Sequence, residues 1–190
     1  MNRKHSFALG VLAFCVGGVA AAQAARKADS LEITEEEGNY VLTVPVSRLV
    51  MSIPKGGLER GRSTSGGATD SPRYFYFEDK ASHLIASGWF EPDSEFPGIE
   101  RVWKDETAAW KRKKLPEPQD VSFERSGSWN AIVYDMATPA GGNSHLRAHR
   151  LQAGTWIEIH LSLTGDASRE ERRGKLREFL SVVQVSEKKP

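Results

Sequence analysis

A short turn near the end of the chain fixes more of the structure than any other segment. Two strand-like segments, residues 144–151 and 155–163, are separated by little more than Ala153 and Gly154. A two-residue connection that contains glycine predicts a tight β-hairpin, in which Gln152 lies opposite Thr155. The pairing of the other residues follows, because side chains alternate between the two faces of a strand.

The two faces of this predicted hairpin differ in character. On the mainly apolar face, the facing residues are Leu146 and Leu161, Ala148 and Ile159, and Arg150 and Ile157. On the polar face, they are His145 and Ser162, Arg147 and His160, His149 and Glu158, and Leu151 and Trp156. Three of the five histidines therefore meet on one face. A slip of the turn by one residue would separate them, since it moves every side chain to the opposite face.

The polar face supports three interpretations. Imidazole and carboxylate groups are ligands of zinc and copper, which makes a metal site one of them. Its candidate ligands are His145, His149, Glu158 and His160. Arg147 lies among them and would repel a cation. A solvated sheet face also needs polar residues, which is the second interpretation. The third is a surface that contacts a partner or ligand through Arg147 and Trp156.

The rest of the chain alternates between strand and helix patterns. Segments rich in β-branched and aromatic residues predict strands at 40–53, 73–77, 84–90, 121–125 and 129–136. Apolar residues recur at helical spacing between 98 and 114, and Ser168-Arg169-Glu170-Glu171 is a capping-box motif before a second helix. Residues 54–73 contain five glycines and predict a long exposed loop. The polar tail, 184–190, is expected to fray.

This order of elements defines the fold class. Strands, a helix, more strands and a final helix, joined by hairpin-length connections, are typical of α+β proteins. We therefore expect one antiparallel sheet with two main helices packed on it, layered like an α/β/α sandwich. Residues 39–186 are predicted to form a single domain, and residues 26–38 a flexible arm or a short edge element.

The first 25 residues have the pattern of a secretory signal peptide. Arg3 and Lys4 precede an apolar run from 7 to 19, and Ala22-Gln23-Ala24 offers a cleavage pattern of small residues. The apolar run is short for a membrane anchor, and Phe14 before Cys15 disfavours a lipoprotein site, although both alternatives remain open. The pattern predicts a periplasmic or secreted protein without stable membrane insertion after cleavage.

Removal of this leader would change the charge and the cysteine content. The full chain has a net charge of +1, and loss of Arg3 and Lys4 leaves 24 Lys and Arg against 25 Asp and Glu, or −1. Such a balance predicts no long-range attraction to nucleic acid or anionic lipid. Cys15, the only cysteine, leaves with the leader, so the domain is expected to be held by its aromatic and aliphatic core without disulfides.

Motifs for known chemistry are missing from the sequence. It has no G-x-S-x-G elbow, no H-E-x-x-H and no phosphate-binding G-x-x-x-x-G-K-[ST] pattern. The carboxylate pairs, such as Glu78 and Asp79, fall at predicted turns, where solvation explains them. The sequence therefore favours a protein that is not an enzyme and binds no cofactor, apart from zinc or copper at the histidine face.

The predicted domain resembles the PsbP, Mog and DcrB group. The resemblance is carried by the opening strand that ends in Ser52-Ile53-Pro54-Lys55-Gly56, by the central helix, and by the closing strand at 154–162 before the last helix. It implies an α/β/α sandwich and a binding or assembly accessory. No functional residue is carried over, and the glycine-rich segment at 54–73 departs from the pattern.

Three hypotheses of function follow. The first is an exported, soluble, non-enzymatic binding or accessory protein of a bacterial-type cell envelope. It binds an envelope protein or another envelope component through the polar sheet face or through residues 54–73, and it predicts no buried titratable group with a strongly shifted pKa. The second is a periplasmic protein that binds a metal or small ligand at the histidine face. The third is a hydrolase with an unrecognised carboxylate or serine site, which requires a deep pocket with convergent polar groups.

Overall fold

The computed structural model describes residues 30–44, 47–61, 73–138 and 141–188. The predicted signal peptide, with Cys15 and the cleavage pattern, lies outside the described residues. So does most of the glycine-rich segment, from residue 62 to 72.

Eleven strands and two α-helices make up the described part of the chain. The strands are β1 Glu32–Glu36, β2 Asn39–Thr43, β3 Leu49–Pro54, β4 Glu59–Arg60, β5 Tyr74–Asp79, β6 Leu84–Pro92, β7 Gln119–Ser126, β8 Trp129–Thr138, β9 Gly141–Gln152, β10 Thr155–Gly165 and β11 Gln184–Glu187. The helices are α1 Ile99–Arg112 and α2 Arg169–Val182, and a 3-10 turn, Asp93–Glu95, precedes α1.

The strands form two antiparallel sheets. The larger has seven strands in the order β4-β5-β6-β10-β9-β8-β7, and the smaller has four in the order β1-β2-β3-β11. The predicted α+β class, with antiparallel pairing and two main helices, is confirmed. The expectation of one sheet is wrong, because strands from both ends of the chain separate into a second one.

The hairpin between β9 and β10 has the predicted register. Gln152 pairs with Thr155, and the pairing continues along the strands as far as Gly142 with Gly165. Ala153 and Gly154 have positive φ angles of 52° and 68°. Two such residues in a two-residue connection match the twist of the flanking strands, which is why the turn does not slip.

One core joins the smaller sheet, the larger sheet and α2. Tyr40 of β2 stacks on Phe77 of β5 with ring centroids 4.3 Å apart, and its hydroxyl donates to the carbonyl of Leu58 at 3.0 Å. Leu176 and Leu180 of α2 are buried in the same cluster. The apolar face predicted for β9 and β10 therefore packs against this core, and the polar face points away from it.

Both ends of the described chain form strands of the smaller sheet. The tail was expected to fray, yet β11 pairs with β3, where Glu187 lies opposite Leu49. Within residues 26–38, β1 forms the edge element that the sequence left open beside a flexible arm. β1 is held by its pairing with β2, and β11 by its pairing with β3, whose residues Leu49, Met51 and Ile53 are fully buried.

The segment predicted as a long exposed loop contains a short strand, β4. Leu58 is buried in the core, and β4 pairs with β5. Because the segment is mostly polar, its sequence did not indicate that Leu58 would pack in the core.

Both predicted helices are present. Ser168 caps α2 by accepting a hydrogen bond from the Glu171 backbone, and the Glu171 carboxylate accepts from the Ser168 backbone, which confirms the capping box. Among the described residues, neither helix is long and apolar enough to cross a membrane.

Candidate functional site

The hairpin brings the predicted site residues together. His145, Arg147 and His149 alternate along β9, and Glu158 and His160 lie on the same face of β10. His149 is opposite Glu158, and Arg147 is opposite His160. We call these five residues the polar layer.

Helix α1 covers this face. His149 and Glu158 each keep only 1% of their surface exposed, and His145 and Arg147 keep 9% and 8%. The interpretation as a solvated sheet face is therefore wrong. Its cause is the apolar side of α1, which must itself be buried and packs on this face of the sheet.

Aromatic rings make the contact between α1 and the sheet. Trp103 and Trp110 pack on the ring of Tyr134 in β8, with centroids 5.0 and 5.4 Å apart. Before the helix, Phe96 lies 5.2 Å from the Trp156 ring and 6.0 Å from His149. Trp103 and Trp110 are thus partly buried packing residues, and Trp156, predicted as a partner contact, is half-covered by Phe96.

Arg147 connects the sheet to the helix. Its Nη1 donates to Glu158 Oε1 at 2.8 Å, and its Nη2 donates to Glu106 Oε1 of α1 at 3.0 Å. An arginine with two carboxylates is a strong and directional arrangement. Arg147, predicted to lie at a partner surface, is inside the protein and holds α1 in position.

The histidines bond within the layer. His145 Nδ1 and His160 Nε2 are 3.0 Å apart, and the His145 ring stacks on Tyr134 at 4.8 Å. His149 Nδ1 accepts a hydrogen bond from Trp156 Nε1 at 3.2 Å. Several polar atoms of the layer, including His145 Nε2, His149 Nε2 and Glu158 Oε2, have no hydrogen-bond partner within the described protein.

Burial shifts the pKa of these groups. It lowers the pKa of His145 to about 4 and that of His149 to about 3, and the charge of Arg147 adds to both shifts. Burial likewise takes the pKa of His160 well below its usual range. For Glu158, burial outweighs the attraction of Arg147 and raises the pKa to about 7. The histidines are therefore neutral at pH 7, and the expectation of no buried group with a strongly shifted pKa is wrong.

The layer is poorly suited to a metal ion. Two of the four candidate ligands, His145 and His160, each use one ring nitrogen in a hydrogen bond to the other. Arg147 also places a positive charge among the four. Over residues 30–44, 47–61, 73–138 and 141–188, no group of three or more His, Cys, Asp or Glu is arranged to hold a metal. The zinc or copper site formed by His145, His149, Glu158 and His160 gains no support from this geometry.

A different feature is accessible from outside. A recess of about 590 Å³ lies where α1 ends and the chain turns towards β7. Its lining includes Lys104, Trp110, Lys111, Lys114 and Leu115. It contains no histidine, cysteine or pair of carboxylates, so its chemistry suits binding better than proton transfer or nucleophilic attack.

Exposed apolar side chains occur in this recess and on the strand that follows it in the chain. Leu115 is 47% exposed, and on the edge strand β7 Val121 and Phe123 are 37% and 50% exposed. Phe123 pairs with Ile132 of β8 and so lies on the side of the sheet that α1 covers. We call Lys104, residues 111–114, Leu115, Val121 and Phe123 the α1–β7 surface. The sequence signal for this surface is the basic run at 111–114 with its apolar neighbours. The net charge of the whole chain, which is close to zero, does not reveal it.

Two smaller recesses lie elsewhere. One, of about 400 Å³, lies between α2 and the larger sheet and is lined by Leu84, Leu163, Phe179 and Val182 among others. The other, of about 290 Å³, lies at the β9–β10 turn and includes Arg73 and Glu91. Neither contains a residue predicted for a site.

Comparison with known proteins gives no family. No protein-family model matches the chain, and no curated protein matches it. Among solved structures, a crystal structure from Bacteroides thetaiotaomicron is similar, with 11% sequence identity and a TM-score of 0.43. The match covers 74% of this chain but only 45% of that one, so the chain spans less than half the length of this structure. The class established here is an α+β protein with two antiparallel sheets.

Proposed function

We propose that this chain is an exported, non-enzymatic binding or accessory protein of a bacterial-type cell envelope, and that it contacts its partner through the α1–β7 surface. The observation that carries the proposal is the recess at the end of α1, where exposed lysines and Leu115 share one lining, followed in the chain by the exposed Val121 and Phe123 of the edge strand β7. The buried polar residues have the shifted pKa values that this class of protein was not expected to show, but they are bonded to one another beneath α1, and none of them lines a recess described above.

Export and the finer fold assignment belong to the proposal. The charge, apolar run and small residues at 1–25 support cleavage near Ala25 and a periplasmic or secreted location. The α/β/α sandwich of the PsbP, Mog and DcrB group is supported by α1 and α2 contacting opposite faces of the larger sheet, through Tyr134 and Ser144 respectively.

Fractionation of expressing cells tests export. The protein recovered outside the cytoplasm is expected to start near residue 25, as read by N-terminal sequencing. Retention of the whole chain in the cytoplasm would overturn export.

Envelope association tests the binding surface. The wild-type protein is expected to sediment with the envelope, and a Leu115→Ser/Phe123→Ser variant is expected to move to the soluble fraction. Leu151→Ser/Val182→Ser is the matched control, since these two residues are equally exposed but lie outside the surface. Equal sedimentation of all three proteins would contradict a role for the α1–β7 surface.

A further inference from the structure

The cations of the α1–β7 surface have no ion-pair partner among the described residues. Residues 111–114, Lys-Arg-Lys-Lys, are all exposed at the end of α1. Within the part of the chain that the structure describes, neither these side chains nor Lys104 form an ion pair. Of the residues that line the recess, only Glu117 is acidic. Although the net charge of the chain is close to zero, the field at this end of α1 is positive.

Basic residues in the last turn of a helix also complement its dipole, and that effect requires no ligand. It does not explain why apolar side chains remain exposed next to them. Leu115 follows the basic run directly, and Phe123 lies on the neighbouring edge strand. A binding partner would bury both side chains, and the nearby positive charges favour a partner that is anionic.

The kind of cation indicates the class of anionic partner. Four of the five are lysines, namely Lys104, Lys111, Lys113 and Lys114, and one is Arg112. Lysine is depleted in the cores of protein–protein interfaces, where arginine is enriched. Its flexible stem and single ammonium group suit a diffuse layer of negative charge. Basic clusters of this size on an amphipathic helix, flanked by apolar side chains, are typical of proteins that lie on anionic lipid.

We infer that the α1–β7 surface docks on an anionic phospholipid membrane surface. Leu115 and Phe123 enter the headgroup region, and the lysines of the surface contact lipid phosphates. The inference rests on the proposed function and names its partner. Docking of this kind is peripheral and requires no membrane-spanning helix.

Sedimentation with lipid vesicles tests the inference. The full chain is incubated with vesicles of phosphatidylcholine alone, or of equal parts phosphatidylcholine and phosphatidylglycerol. Binding is expected to be stronger to the second kind, and the difference between the two kinds of vesicle is expected to shrink as salt is added, because salt screens the attraction. Every variant carries the same N-terminal segment, so any binding by that segment cancels in the comparison.

Two variants separate the two components of the surface. Replacing the four cations at 111–114 by glutamine is expected to lower the partition constant at least about a hundredfold, because each cation near anionic lipid contributes about a fivefold gain. Leu115→Ser/Phe123→Ser is expected to lower it about tenfold or more, since apolar area is no longer buried. The matched charge control replaces four exposed cations elsewhere by glutamine, namely Arg60, Lys80, Lys175 and Lys188. This control is expected to bind within about threefold of the wild type.

Three outcomes would overturn the inference. These are no binding to the anionic vesicles, an equal loss in the charge control, and tight binding to soluble polyglutamate that is insensitive to Leu115→Ser/Phe123→Ser. The last outcome would identify an acidic polypeptide as the partner. If the protein then still sediments with the envelope through the α1–β7 surface, the proposed function stands while the lipid partner is excluded.

Discussion

Arg147 and Glu158 form an ion pair at 2.8 Å between neighbouring strands, with 9% and 1% of their side chains exposed. The same guanidinium also binds Glu106 at 3.0 Å, so one side chain bridges β9, β10 and α1. A buried charge of this kind is tolerated only while its partners remain in place.

Arg147→Met is expected to destabilise the protein by about 3 kcal/mol at pH 8, because it leaves the Glu158 carboxylate buried without its cation. The loss is expected to shrink at pH 6, where Glu158, whose pKa is already raised to about 7, takes up a proton and becomes neutral. Urea unfolding at the two pH values measures the effect. Arg101→Met is the control, since the Arg101–Asp105 pair is exposed and is expected to contribute less than about 0.5 kcal/mol. A small loss at both pH values would contradict the bridging role.

The buried histidines predict a loss of stability in acid. The pKa of His149 falls from 6.5 to about 3 on folding, so between these values the unfolded chain binds a proton that the folded protein does not. Stability from this residue therefore decreases as the pH falls below 6.5, by about 1.4 kcal/mol per pH unit. Glu158 acts in the opposite direction, because its raised pKa makes the folded state retain a proton.

Comparing variants isolates the histidine contribution. His149→Gln is expected to flatten the dependence of the free energy of unfolding on pH between 4 and 6.5, since the opposing contribution of Glu158 is common to both proteins. His83→Asn serves as the control, because His83 is exposed in a turn with a φ of 57°, which asparagine tolerates. Parallel pH curves for His149→Gln and the wild type would show that His149 titrates alike in both states.

Gly88 is expected to tolerate no side chain. A Cβ atom there would lie 2.0 Å from the Glu158 carbonyl oxygen and 2.8 Å from the Phe75 ring, inside the larger sheet. Gly88→Ala should therefore cost about 2 kcal/mol or more in thermal or urea unfolding. Gly174→Ala, in the open middle of α2, should instead stabilise by about 0.5–1 kcal/mol. Equal effects of the two substitutions would contradict the packing at Gly88.

Zinc and copper are expected not to bind tightly at the histidine face. The ring nitrogens of His145 and His160 are 3.0 Å apart and bond to each other, so a metal would have to break that contact beside the charge of Arg147. Calorimetric titration of the chain should show no site tighter than about micromolar. A tight site that is lost in His145→Gln would instead restore the metal hypothesis.

Local signals in the sequence predicted much of this fold. The turn at Ala153 and Gly154 fixed the pairing of β9 with β10, because two residues with positive φ permit one register. The capping box at Ser168 located the start of α2 in the same way. What such signals could not reveal was β11, whose pairing with β3 joins residues far apart in the chain.

For the candidate site, too, local signals in the sequence predicted one part and the tertiary structure determined the other. The sequence by itself determined that His145, Arg147, His149, Glu158 and His160 share one face, since strand alternation and turn chemistry are local. Only the tertiary structure decided that this face is closed. Helix α1 had an apolar side to bury, and where it docks depends on contacts between distant residues, such as Trp103 with Tyr134 and Glu106 with Arg147. The same docking sets where the exposed lysines at the end of α1 lie, which no local pattern determines.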